Sequence, residues 1–82
     1  MRRGDSIVRE VYMEEIAIHT DFIKLDALMK FSALAESGGE AKQLIADGLV
    51  KVNGEVCLQR GKKLFPGDTI FFDGQTVRVT NE

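Results

Sequence analysis

Between Leu25 and Leu34 the apolar residues Leu25, Leu28, Met29, Phe31 and Leu34 recur at steps of three and four. That period predicts an amphipathic helix, with Asp26 favourably placed in its first turn. Ala35-Glu36 then leads to Ser37, a good N-cap, and Glu40 three residues later completes the S-x-x-E capping box. Ala41, Leu44 and Ile45 continue at helical spacing, and Gly48 supplies a left-handed stop for a second short helix. The tight connection requires the two helices to cross steeply, in the manner of a helix-turn-helix.

Elsewhere the period drops to two. Glu14 to Thr20 alternates around Ile16 and Ile18, and Val50-Lys51-Val52 alternates immediately before Asn53-Gly54, the strongest short hairpin signal. Val56 and Leu58 give the return strand. Gln59-Arg60-Gly61-Lys62-Lys63 reads as a basic loop, and Pro66-Gly67-Asp68 as a turn. Ile70-Phe71-Phe72, Asp73-Gly74 and Val77-Arg78-Val79 predict a second hairpin. The expected fold is α+β: two short helices packed on one face of a small, mostly antiparallel sheet with two β-hairpins. The expected core comprises Leu28, Met29, Phe31, Leu44, Ile45, Val52, Ile70 and Val77. Residues 1–12 mix charges without a clean period and read as a flexible lead, so that residues 13–82 form a single domain.

Composition narrows the function classes. At 82 residues only a modest core is possible. No apolar run approaches the length of a membrane span, and Met1-Arg2-Arg3 is not followed by an apolar segment, so a cytoplasmic protein is expected. Cys57 is the single cysteine and reads as a half-buried strand residue; His19, without partners at ligand spacing, reads as an exposed strand residue. No metal, cofactor or catalytic constellation is expected, and the chain is read as non-enzymatic.

The net charge of −2 opposes nucleic-acid binding, but the charges are unevenly distributed. Residues 41–63 hold five basic side chains against two acidic ones, a surplus a polyanion would feel. Lys42 and Gln43 point away from the apolar stripe of the second helix. Lys51 projects from the sheet face opposite to that of Val50 and Val52. Arg60, Lys62 and Lys63 lie in the basic loop, where arginine engages phosphate bidentately and lysines act as point charges. Gly38 and Gly39 open two readings: bare backbone that admits a phosphate to the positive helix end, or a corner that needs glycine for its turn. With no exposed aromatic interleaved among these charges, structured RNA is favoured over base stacking.

The pattern Gly38-Gly39-x-Ala41-Lys42-x-x-Ile45-x-x-Gly48-x-Val50-x-Val52-Asn53-Gly54, followed by the basic segment and Pro66-Gly67-Asp68, resembles the small RNA-binding domain of the ribosomal-protein S-four type. The helix–helix–hairpin core of that family is called the αL motif, and the likeness is greatest to its small stand-alone bacterial members. It extends from Ile16 to Val79. The resemblance implies that the helix corner, here Ser37, Gly38, Gly39 and Lys42, faces RNA, ribosomal RNA being the natural candidate, with a monomer as the binding unit. Many members carry arginine where this chain has Gly38, which removes one cation from the corner. Two other classes are weighed. A ubiquitin-like sulfur carrier or interaction module shares the Pro-Gly-Asp turn, but a sulfur carrier needs a C-terminal Gly-Gly in place of Thr80-Asn81-Glu82. A helix-turn-helix DNA binder needs several base-reading side chains on the second helix, which offers chiefly Lys42 and Gln43.

Overall fold

The periodic run after Ile23 forms a helix, but a shorter one than its spacing predicts. In the computed structural model, which describes residues 13–82, helix α1 covers Leu25–Phe31. It stops because Ser32 turns its hydroxyl back onto the carbonyls of Leu28 and Met29, at 2.8 and 3.3 Å, and Ala33 adopts a left-handed φ of 63°. Leu34 N–H then donates to the Met29 carbonyl at 2.9 Å and Ala33 N–H to that of Lys30 at 3.1 Å, the bond pair of a Schellman stop. Phe31 does not join the core and is 73% exposed, which corrects the expectation. At 3.6 residues per turn it lies roughly 110° around the helix from the mean direction of Leu25, Leu28 and Met29. Those three are fully buried.

Helix α2 covers Gly38–Ala46. Ser37 Oγ accepts the Glu40 N–H at 3.1 Å as the capping box requires, but Glu40 Oε1 takes the N–H of Glu36, at 2.6 Å, rather than that of Ser37. The reciprocal half of the box is therefore displaced by one residue into the corner. Gly48, at φ 78°, ends the helix with a second Schellman pair: Gly48 to Ile45 at 3.0 Å and Leu49 to Leu44 at 3.2 Å.

Five strands form the main sheet: β1 (Met13–Ile18), β3 (Lys51–Val52), β4 (Glu55–Val56), β6 (Thr69–Phe72) and β7 (Gln75–Asn81). Their order is β1-β7-β6-β3-β4; β1 runs parallel to β7 and the remaining pairs are antiparallel. Both expected hairpin turns carry two consecutive positive φ angles, 51° and 88° at Asn53-Gly54, 54° and 79° at Asp73-Gly74. The return strand is shorter than expected. Leu58 lies beyond it and is 63% exposed, because β3 begins only after the Gly48-Leu49 helix stop and leaves Leu58 no partner. A separate two-stranded ribbon pairs β2 (Ile23–Lys24) with β5 (Lys63–Leu64), so Lys63 belongs to a strand rather than to the loop.

Val52, Ile70 and Val77 sit opposite one another on the sheet face that the helices cover. Leu28, Met29, Ala41 and Ile45 close over them, with Leu44 packed at the margin. His19 stands just past β1, where its Nδ1 lies 3.2 Å from Glu82 Oε1. The flexible lead expected for residues 1–12 lies outside the described residues.

Candidate nucleic-acid interface

The corner between α1 and α2 is fixed from both sides, by the Schellman stop at Ala33 and by the cap at Ser37. Ser37, Gly38 and Gly39 are all exposed. A methyl group built on Gly38 would meet nothing within 4 Å, and one on Gly39 only Ser37 Oγ at 3.9 Å. Neither glycine has a positive φ, so the chain conformation does not itself require glycine at either place. The bare start of α2 is open to an approaching group, although the Glu40 carboxylate occupies the same turn.

The remaining site residues lie on α2, on the outer sheet face and in the basic segment. Lys42 is exposed on α2. Gln43 is exposed too, but its side-chain amide donates to Asp47 Oδ1 at 2.9 Å. That bond leaves Lys42 as the free polar group of the two and weakens a base-reading role for α2. Lys51 lies on the sheet face away from the helices, opposite Val56 on one side and Phe71 on the other. Arg60 and Lys62 lie at the far end of α1 from the corner. The Lys62 carbonyl accepts the Leu25 N–H at 2.9 Å and the Arg60 carbonyl accepts that of Asp26 at 3.1 Å. The loop backbone thus supplies the helix cap that Lys24 does not provide through its side chain. The seven residues of α1 span about 10 Å. Corner and loop are therefore two separate clusters, and Lys51 occupies a third place.

Among the described residues the one close contact between a basic and an acidic side chain is that of His19 with Glu82. None of Lys42, Lys51, Arg60, Lys62 and Lys63 is paired with a carboxylate there. Lys62 also borders an open cavity of about 450 Å³ against the β3–β4 hairpin, together with Asn53, Glu55, Leu58 and Gln59.

A family model described as the S4 domain matches residues 16–80. The chain belongs to the S4 domain family. Among relatives of this S4 domain, a protein of Escherichia coli (strain K12) named "Putative RNA-binding protein YbcJ" is 40% identical over 57 residues, covering 70% of this chain and 81% of that one. A Bacillus subtilis (strain 168) protein named "Probable ribosome maturation protein RlbA" is 37% identical over 59 residues, covering 72% and 83%. The solution structure of Escherichia coli YbcJ, described as an αL motif involved in RNA binding, superposes with a TM-score of 0.59 at 35% identity. The superposition covers 84% of this chain and 86% of YbcJ. The family resemblance and the α+β fold expected of it are both borne out.

The S4 domain also holds a feature contrary to expectation. Phe65 is 48% exposed and Phe22 half-buried, their ring centroids 6.0 Å apart, and Lys63 Nζ lies 4.7 Å from the centre of the Phe22 ring. Aromatic side chains do border the basic segment. Phe22-Ile23-Lys24 and Lys63-Leu64-Phe65 are mirror images in sequence, each with an aromatic and a lysine two residues apart. That symmetry was the available signal for an antiparallel pair with one aromatic-basic face.

Proposed function

We propose that this S4 domain binds structured RNA, ribosomal RNA in the first instance, through phosphate contacts at the α1–α2 corner and at the basic segment. On this reading Ser37, Gly38, Gly39 and Lys42 receive the backbone of a structured RNA at the corner. Arg60, Lys62 and Lys63 contribute a second set of phosphate contacts, and Lys51 and Gln43 are peripheral. The module is non-catalytic, cytoplasmic and monomeric, and requires no metal or cofactor.

The observation that carries the reading is the exposed, capped start of α2 in an αL arrangement shared with a structure described as RNA-binding. A named ribosome maturation relative supports ribosomal RNA as the target. That these cations have no carboxylate partner among the described residues supports it further, since cations held by carboxylates would have less to offer a phosphate.

Crosslinking in cells, followed by sequencing of the bound RNA, tests the proposal. Enrichment of defined ribosomal RNA helices is the expected result. Recovery of background RNA alone would overturn it.

A further inference from the structure

We infer that the outward face of the β2–β5 ribbon seats one unpaired nucleotide of the bound RNA, its base stacked against Phe65 and its flanking phosphates held by Lys24 and Lys63. The inference rests on the RNA-binding reading above and goes beyond it by giving the module a base-stacking site.

The ribbon's alternation creates the face. Ile23 and Leu64 are paired with each other and buried, 8% and 0% exposed, so they point into the core. Lys24 and Lys63, also directly paired, must point outward, and both are exposed. Phe22 and Phe65 sit two residues from those lysines along each chain, which returns them to the same outward face. The 6.0 Å ring separation and the 4.7 Å approach of Lys63 Nζ to the Phe22 ring agree with this placement.

This combination is poor for folding alone. Like charges directly opposite across a ladder repel, and neither lysine has a carboxylate partner among the described residues. Phe65 leaves 48% of its surface exposed beside them. A nucleotide answers both deficits, since it joins a flat π-face to an anionic backbone on either side. Lys63 already covers one ring, Phe22, which leaves Phe65 as the open platform.

The platform is also held in place. Phe65 N–H donates to Asp68 Oδ2 at 2.8 Å, and the Phe65 carbonyl accepts the Asp68 N–H at 2.9 Å across the Pro66-Gly67 turn. Little ordering of the backbone is therefore left for binding to impose.

Two RNA hairpins with the same stem provide the test, one fully paired and one carrying a single bulged 2-aminopurine. The parent protein should bind the bulged RNA more tightly and quench its fluorescence. Phe65→Ala should weaken binding to the bulged RNA about 5- to 150-fold, with less than about a twofold change for the paired one. Phe65→Trp should restore the preference. Circular dichroism verifies folding. Should Phe65→Ala fail to fold, Lys24→Gln combined with Lys63→Gln carries the test, by flattening the salt slope more for the bulged RNA than for the paired one; an equal change for the two overturns the inference. Equal affinity of the parent for both RNAs, or a Phe65→Ala variant that keeps the parent's preference, overturns this inference while leaving the RNA-binding reading intact. A variant that keeps both RNA affinities but loses a co-purifying protein assigns the face to that protein and likewise overturns it. Failure of the parent to bind either RNA sinks both readings.

Discussion

Asn53 and Asp68, fifteen residues apart, are joined by a hydrogen bond of 3.2 Å from the Asn53 side-chain amide to Asp68 Oδ1. The same asparagine accepts the Thr69 N–H at 3.0 Å, and the other oxygen of Asp68 accepts the Phe65 N–H at 2.8 Å. One pair of side chains thus couples the β3–β4 hairpin to the turn that presents Phe65. Asn53 also occupies a left-handed position, φ 51°, which asparagine tolerates better than most residues. Asn53→Ala should cost about 2 kcal/mol, combining lost hydrogen bonds with backbone strain. A double-mutant cycle with Asp68→Ala, read from urea midpoints, should give a coupling of about 0.5–1.5 kcal/mol. Additive losses would mean that the bond contributes nothing.

Ala33 is the converse case. It holds the left-handed stop of α1 at φ 63° without the freedom of glycine. Ala33→Gly should raise stability by about 0.5–1 kcal/mol, since relief of about 1–2 kcal/mol of strain is partly offset by the greater entropy of the unfolded chain. A lower urea midpoint would contradict the assignment of strain.

Burial separates two apolar residues that look alike in the sequence. Ile45 is 1% exposed and Phe31 73%. Ile45→Ala should cost about 2–5 kcal/mol, enough to threaten a domain of this size, and Phe31→Ser no more than about 0.5 kcal/mol. Equal losses in thermal or urea unfolding would place Phe31 inside after all.

The helices, their caps and both hairpin turns were legible because each is written in adjacent residues: Ser37 with Glu40, Gly48, Asn53-Gly54, Asp73-Gly74. The β2–β5 ribbon was not. Two residues per strand give no measurable period, and the partners lie on either side of both helices. The end of α1 is hidden for a related reason: apolar spacing continues through Phe31 and Leu34, while the stop depends on the Ser32 hydroxyl and on a non-glycine residue in a left-handed conformation. The nine site residues were identifiable as exposed and mostly basic, but their division into corner, loop, β2–β5 ribbon and outer sheet face depends on the tertiary arrangement.

Salt dependence tests the basic segment. If about three to five phosphates are neutralised, log affinity should fall against log salt with a slope of about −2 to −5. Replacing Arg60, Lys62 and Lys63 together with alanine should flatten that slope by about 2 to 3 units. The cap on α1 should survive, because the Arg60 and Lys62 groups bonded to it are backbone carbonyls. An unchanged slope would move the interface away from this segment.

A gain of affinity should be available at the corner. Since a side chain at Gly38 meets nothing within 4 Å and φ is not positive there, Gly38→Arg should fold normally. One added phosphate contact should steepen the salt slope by about 0.7–0.9 units and tighten binding several-fold at low salt. No change in either quantity would place the corner outside the contact surface.

Among the described residues strand β1 pairs with β7 alone, in parallel, from Met13 opposite Thr76 to Ile18 opposite Asn81. No tight turn can join such partners, and roughly sixty residues must be looped out before the first bond forms, an entropic cost that local contacts do not carry. The order of assembly follows from this. The helices and the β3–β4 hairpin, whose contacts are short in sequence, should form in the folding nucleus, with β1 docking last along the finished edge of β7. Kinetically, Ile45→Val should slow folding, whereas Ile18→Val should mainly hasten unfolding. The α1–α2 corner would then be in place before β1 completes the sheet.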